Sequence, residues 1–159
     1  MKFSIMKTAL TVLSLHSIFA FSQTIPYGAP ISLEDAKKAA QAASAEMHKN
    51  NFDMTIAVVD SGGNLVYLER SNNAGLGTID PAIGKAKAAN GIKTPTKAIA
   101  DMIVKQGVVN LIAVPGAMPV DGGVPIIVDN KVIGAIGVSG GMLQDDDAVA
   151  TIGAQSLLH

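Results

Sequence analysis

Two apolar runs joined by a tight turn, between residues 122 and 141, constrain the fold of this chain more than any other feature. The segment reads GGVPIIVDNKVIGAIGVSGG, with a glycine pair at each end and Asp129-Asn130-Lys131 at the turn. Valine- and isoleucine-rich runs separated by such a turn are typical of an antiparallel hairpin. Because the polar side chains collect at the turn, we expect the hairpin to lie inside a sheet and not at its edge.

The first 22 residues have the composition of a secretory signal peptide. Lys2 and Lys7 precede the apolar run 9–21, and the small residues Ala20 and Ser22 lie at its end. This run is interrupted by polar residues and is too short for a membrane anchor, which needs about 20 apolar residues. We therefore predict cleavage after Ser22, a secreted or periplasmic location, and no stable membrane insertion of the mature chain.

The mature chain, residues 23–159, has the size of a single domain. It holds 10 basic and 13 acidic residues, a net charge of −3, and it has no basic run longer than two residues. This balance argues against nucleic acid as a partner. Cysteine is absent from the whole chain, which excludes disulfides, thiolate metal sites and thiol nucleophiles.

Capping patterns predict four helices. A hydroxyl or carboxylate cap, followed by an acid or a proline in the first turn, opens each of the first three, and three aspartates open the last. The helices are predicted over Leu33–Lys49, from Asp80 to about Gly91, from the cap Thr94 to about Gln106, and over Ala148–Leu158.

Short β-branched runs predict five strands. They are Met54–Asp60, Leu65–Arg70, Leu111–Val114 and the two runs of the 122–141 hairpin. The first two are joined by the turn 61–64 and form a hairpin of their own. Strands connected mostly by tight turns favour an antiparallel sheet with helices packed on it, which is an α+β sandwich.

Several kinds of site are disfavoured by the residues around the second hairpin. The glycine-rich segment 134–141 lies between a strand and a helix, as phosphate loops do, but its glycine spacing is wrong and Asp145–Asp147 behind it would repel a phosphate. Those aspartates do not complete a calcium loop, so helix capping explains them better. Ser139 lies in a G-x-S-x-G sequence, but His48 precedes it, which is the wrong order for a hydrolase.

Three side chains remain as candidates for binding a small molecule: His48, Arg70 and Lys85. His48 can be a single axial ligand to haem iron, or a helix-end histidine favoured by the helix dipole, and the residues alone favour the second role. Arg70 is the only arginine and can bind a carboxylate such as a propionate. A structural bridge from Arg70 to Asp60 or to the neighbourhood of Glu69 is the open alternative.

Four segments of the chain, two of them within the 122–141 hairpin, occur in a specific order and spacing. They are IAVVDSGGNL at 56–65, followed by Arg70, then KAKAA at 85–89, GGVPI at 122–126 and VIGAIGVSG at 132–140. In this order they resemble the GlcG and HbpS group of haem-binding proteins, which is related to the C-terminal domain of PduO-type proteins. The resemblance covers residues 31–158. It implies a profilin-like fold, with a five-stranded antiparallel sheet between helical layers, and assembly into homo-oligomers.

The same resemblance implies haem as the cofactor. From the candidate residues of this chain, we predict His48 as the axial iron ligand, with Arg70 or Lys85 near a propionate. Family members often carry a threonine, linked to haem contact, where this chain has Ala88. The implied function is a secreted or periplasmic haem-binding protein, with slow haem degradation or an accessory role beside a sensor as its activity. The alternative is an enzyme or carrier for a small organic acid of the glycolate type. Whether a substrate is turned over stays open at this point.

Overall fold

The structure is a computed structural model that describes residues 25–158. Within this range the chain forms α1 (Leu33–Lys49), β1 (Thr55–Asp60), β2 (Leu65–Arg70), α2 (Ile79–Ile92), α3 (Thr96–Gln106), β3 (Gly123–Val128), β4 (Lys131–Ser139) and α4 (Leu143–Gln155). The predicted signal peptide, residues 1–22, lies outside the described residues. Among the helices of this range, none is long and apolar enough to cross a membrane.

The strands form one antiparallel sheet in the order β2-β1-β4-β3. The hairpins β1–β2 and β3–β4 meet along their inner strands, where Thr55 pairs with Ser139 and Asp60 pairs with Gly134. Helices pack on the sheet, so the predicted α+β class with an antiparallel sheet is confirmed.

The prediction of five strands is wrong, because residues 25–158 contribute four strands to the sheet. The expected strand Leu111–Val114 lies largely in a 3₁₀ helix over Val109–Ala113. Its backbone bonds are local: Leu111 N–H donates to the Val108 carbonyl, and Val114 N–H donates to the Leu111 carbonyl. A four-residue apolar run is compatible with either element, and no strand among residues 25–158 pairs with it to supply hydrogen bonds.

The β3–β4 hairpin is confirmed, with a left-handed backbone at Asp129 (φ 49°) and Asn130 (φ 57°) as a two-residue turn requires. β4 lies inside the sheet, whereas β3 is an edge strand, so the expected interior position is wrong for β3. The Gly123 N–H donates to the Thr96 hydroxyl oxygen at 2.9 Å, and Pro125 has no N–H to leave unpaired. These two features protect the edge from pairing with another strand.

The helices cover both faces of the sheet. On one face, α2 forms a small cluster with the sheet through Ala86, Ala89, Val59 and Ala135. The larger core lies on the other face, between the sheet and the helices α1 and α4. Its members include Ala36, Ala39, Ala40 and Ala43 of α1, Ile56 and Val58 of β1, Ile136 and Val138 of β4, and Val149 and Ala150 of α4.

The predicted helix start is confirmed for α1 and is wrong for the other three helices. α2 begins at Ile79 with Thr78 at the cap position, so Asp80 lies in its first turn and is not its cap. α1 begins as expected, with the Ser32 hydroxyl accepting the Asp35 N–H at 3.1 Å. α3 begins at Thr96 with Pro95 at the cap position, so Thr94 is not its cap. α4 begins at Leu143 and not at Ala148, which places two of the three aspartates in its first turn.

Candidate functional site

A buried ion pair connects the two helical layers. The Lys85 Nζ of α2 lies 2.7 Å from the Asp146 carboxylate of α4, and it also donates to the Val138 carbonyl at 2.9 Å. The exposed fraction is 2% for the Lys85 side chain and 3% for that of Asp146. Since α2 and α4 cover opposite faces of the sheet, this contact joins the faces where β4 ends.

The backbone around this pair leaves it no spare room. Gly122 has φ +109°, and a Cβ added there would lie 2.8 Å from the Asp146 Cβ and 3.2 Å from the Lys85 Nζ. The Gly141 N–H donates to the second carboxylate oxygen of Asp146 at 2.9 Å. Burial raises the pKa of Asp146, although Lys85 and the Gly141 N–H both favour the ionised form. Gly122, the Gly141 N–H and the Val138 carbonyl therefore enclose the Lys85–Asp146 pair.

The three candidate residues from the sequence lie in different environments. His48 is exposed near the C-terminal end of α1. The Arg70 guanidinium donates to the Ala74 carbonyl and forms no bridge to Asp60 or Glu69. Lys85 is the buried partner of the ion pair. Among residues 25–158, no hydrogen bond or ion pair joins any two of the three.

His48 and Arg70 nevertheless lie at the same end of the sheet. Thr55, which begins β1, pairs with Arg70 on one side and with Ser139 on the other. The helix that carries His48 reaches Thr55 through the short connection 50–54. The same end of the sheet also has exposed apolar side chains, which are Leu76, Met142 and Leu143. This end thus combines an accessible imidazole, a guanidinium and apolar surface.

The three consecutive aspartates point in different directions, as neighbours on a helix do. Asp146 enters the core, whereas Asp147 faces the partly buried ion pair between Lys97 and Asp121. Burial raises the pKa of Asp147, and the Lys97 charge opposes this rise. Across the described part of the chain, no group of three histidine, cysteine, aspartate or glutamate side chains could hold a metal ion.

Asp146 is the structural residue that capping rules alone do not reveal. A signal for it exists in the spacing, because Asp146 begins the buried stripe of α4, which continues through Val149, Ala150, Gly153 and Ala154. A charged residue on the apolar stripe of a helix requires a buried partner. Lys85 lies in the same way among the buried alanines of α2.

Known proteins share both sequence and fold with this chain. The GlcG protein of Escherichia coli (strain K12) is 34% identical over 109 residues, which covers 69% of this chain and 81% of that protein. The HbpS crystal structure is 31% identical with a TM-score of 0.76, covering 83% of this chain and 93% of HbpS. A PduOC:haem complex shows the same fold at 22% identity, with a TM-score of 0.71 and coverage of 80% and 95%.

A family model described as "Haem degrading protein HbpS-like" matches residues 31–155, which is most of the chain. The matched range includes all four helices and all four strands described above. It also contains His48, Arg70 and the Lys85–Asp146 pair. This chain therefore belongs to the HbpS-like family of haem-degrading proteins.

Proposed function

We propose that this protein is an exported haem-binding protein. The match of the HbpS-like family over residues 31–155 carries this proposal, because it includes every helix and strand of the described domain. Haem, when bound, supplies a redox-active iron centre. The charge pattern of residues 1–22 supports export, since it places lysines before an apolar run and small residues after it.

The residues at one end of the sheet fit haem. His48 is exposed, and within residues 25–158 its imidazole has no hydrogen-bond partner, so a ring nitrogen is free to bind iron. Leu76, Met142 and Leu143 offer apolar surface to a porphyrin. We assign His48 as the axial ligand and Arg70 as the propionate contact, because the guanidinium keeps donors beyond the one bound to Ala74.

Lys85 receives a different role in this proposal. Its ammonium is bound by the Asp146 carboxylate and by the Val138 carbonyl inside the core. Reaching a propionate would require breaking that pair and leaving Asp146 as an unpaired buried charge. Ala88, at the position where the family resemblance implies a threonine, is also buried on α2, so no haem contact is assigned to it.

A haem titration of purified mature protein tests the axial ligand. We expect a shifted Soret band, and we expect His48→Ala to weaken haem binding by at least about tenfold, since even indirect partners of metal ligands contribute that much. Lys37→Ala is the matched control, because Lys37 is an exposed residue of the same helix. An identical titration in wild type and His48→Ala would remove His48 from the site, and no Soret shift in wild type would contradict the haem proposal itself.

We also propose that the protein assembles into homo-oligomers. The support comes from the arm formed by α3 and the following residues 107–114, where Val104, Val109, Ile112 and Val114 are exposed, Val104 to 81%. α3 buries only Thr96 and Ile99 against the rest of the chain. Large apolar side chains concentrated on one exposed arm are typical of a protein–protein interface.

The mass in solution tests this assembly. We expect wild-type protein to have a mass greater than that of one chain, and Val104→Glu with Ile112→Glu to shift it toward one chain, because two buried charges would oppose the interface. Leu33→Glu is the control, since Leu33 is exposed on α1, away from the arm. A wild-type mass equal to one chain at all accessible concentrations would refute the proposed assembly.

A further inference from the structure

A cavity of about 370 Å³ lies between the edge strand β3, the end of α4 and the connection from α2 to α3. Its walls are mostly apolar, and they include Val124, Pro125, Ile127, Ala154 and Leu158. The polar lining comes from Thr94, Thr151, Gln155 and Lys93. This lining has one cation and no anion among the described residues.

Lys93 carries a charge that the described part of the chain does not neutralise. Its Nζ donates to the Ile25 carbonyl at 2.7 Å and lies 4.1 Å from the centroid of the Tyr27 ring. No carboxylate of residues 25–158 forms an ion pair with it. An ammonium has three N–H donors, so donors remain for a ligand after the bond to Ile25. Ile25 and Lys93 both line the cavity.

The backbone of Lys93 is also unusual. Lys93 is the C-cap of α2 and adopts the left-handed conformation, with φ 58° and ψ 31°. Glycine is the ordinary choice at such a position, because a Cβ is unfavourable there. A lysine at this position places a long cationic side chain at the cavity, which a glycine could not do.

The charges of a neighbouring cavity favour one orientation of an anionic ligand. A second space of about 400 Å³ shares Pro95, Val124, Thr151 and Gln155 with the first one. It is lined by Asp101 and Asp147. Lys97, its one cation among the described residues, is paired with Asp121 at 2.8 Å. An anionic group is therefore repelled from that side and attracted toward Lys93.

We propose that the cavity beside Lys93 binds a small amphipathic carboxylate, with the carboxylate on the Lys93 ammonium and an apolar body along Val124, Ile127 and Leu158. One ammonium matches a single negative charge, so a monocarboxylate fits better than a phosphate dianion. Very short acids without an apolar part are poor ligands for this cavity, because they cannot cover its apolar walls. This site is separate from the haem-binding end of the sheet.

Calorimetric titration with three ligands of equal chain length tests this assignment: octanoate, octan-1-ol and octylamine. We expect octanoate to bind at least about tenfold more tightly than octan-1-ol, which lacks the charge, and octylamine to bind most weakly. We expect Lys93→Met to abolish the preference for octanoate over octan-1-ol. The control Lys87→Met removes an exposed lysine of the same helix and should keep this preference.

Two further variants keep the test decisive if Lys93→Met fails to fold. Lys93→Arg preserves the charge and should preserve octanoate binding, whereas Thr151→Tyr fills the cavity and should remove it. Equal affinity for the three ligands, no binding of octanoate, or full octanoate binding by Thr151→Tyr would overturn the proposal. Haem titration of Lys93→Met separates the two sites: an unchanged Soret titration is expected, and loss of haem binding would reassign the cavity to haem.

Discussion

Replacing Lys85 with methionine is expected to lower the free energy of unfolding by about 3–5 kcal/mol, because it leaves the buried Asp146 carboxylate without a partner. Methionine has nearly the length of lysine, so the loss reports the missing charge and the missing hydrogen bond to the Val138 carbonyl, and not a cavity. Asp146→Asn should cost a similar amount, since it leaves the Lys85 ammonium buried without a counter-charge. Chemical denaturation of each purified variant measures these changes.

The double variant Lys85→Met with Asp146→Asn completes the test of the ion pair. It has no buried charge, and the asparagine oxygen can still accept the Gly141 N–H. We therefore expect the double variant to lose much less than the sum of the single losses. If the double variant lost as much free energy of unfolding as the two single variants together, Lys85 and Asp146 would not be energetically coupled. Lys87→Met, on the exposed face of the same helix, should change the stability little.

The stability of Lys85→Met should also depend on pH. Burial already raises the pKa of Asp146 above its ordinary value of 3.8, and Lys85 opposes that rise. Without Lys85 the folded-state pKa rises further, so the folded state binds its proton more tightly than the unfolded state does. A raised acid pKa stabilises the fold at low pH, and this contribution is lost as the pH rises from 3.8 through the folded pKa. The deficit relative to wild type should therefore be larger at neutral pH than near pH 4.

Gly137→Ala is the second substitution with a large expected effect. A Cβ at Gly137 would lie 2.1 Å from the Ala82 carbonyl oxygen and 2.5 Å from the Ala86 nitrogen. Both of these are backbone atoms of α2, so the helix as a whole must move away from β4. Overpacking usually costs about 1–3 kcal/mol, and a clash with backbone belongs at the upper end of this range or beyond it. Denaturant unfolding of Gly137→Ala measures the cost.

Gly91→Ala is the matched control for the same substitution. Gly91 lies near the end of α2, and an added Cβ there would meet nothing within 4 Å. Alanine is the better helix former and restricts the unfolded chain, so this variant should gain about 0.5–1 kcal/mol. If Gly137→Ala were as stable as Gly91→Ala, the close packing of α2 on β4 would not require glycine at position 137.

The sequence correctly predicted those elements that depend only on residues close together in the chain. The Asp129-Asn130 turn and the Ser32 cap depend on neighbouring residues, and both lie where they were expected. The expected strand Leu111–Val114 was wrong, because membership in a sheet depends on a partner strand that four residues cannot specify. The position of β3 at the edge likewise depends on tertiary pairing.

For the Lys85–Asp146 pair, the sequence likewise predicts the local feature but not the contact between distant residues. The run Asp145–Asp147 correctly indicates acids at the start of a helix. That Asp146 is buried, and that Lys85 is its partner, follows only from packing α2 and α4 on opposite faces of one sheet. Spacing could have suggested a buried acid on α4, but no pattern within one helix identifies a partner on another.

The pairing of β1 with β4 decides when the sheet can be completed during folding. β1 lies near the start of the described domain and β4 near its end, with α2, α3 and β3 between them. Each hairpin can form early from local contacts, but its inner strand keeps an open edge until the other hairpin arrives. Open edges of valine- and isoleucine-rich strands are where partly folded chains associate. A chain that ends before β4 would leave the inner edge of β1 unpaired. Incomplete chains of this topology are therefore expected to aggregate through β1.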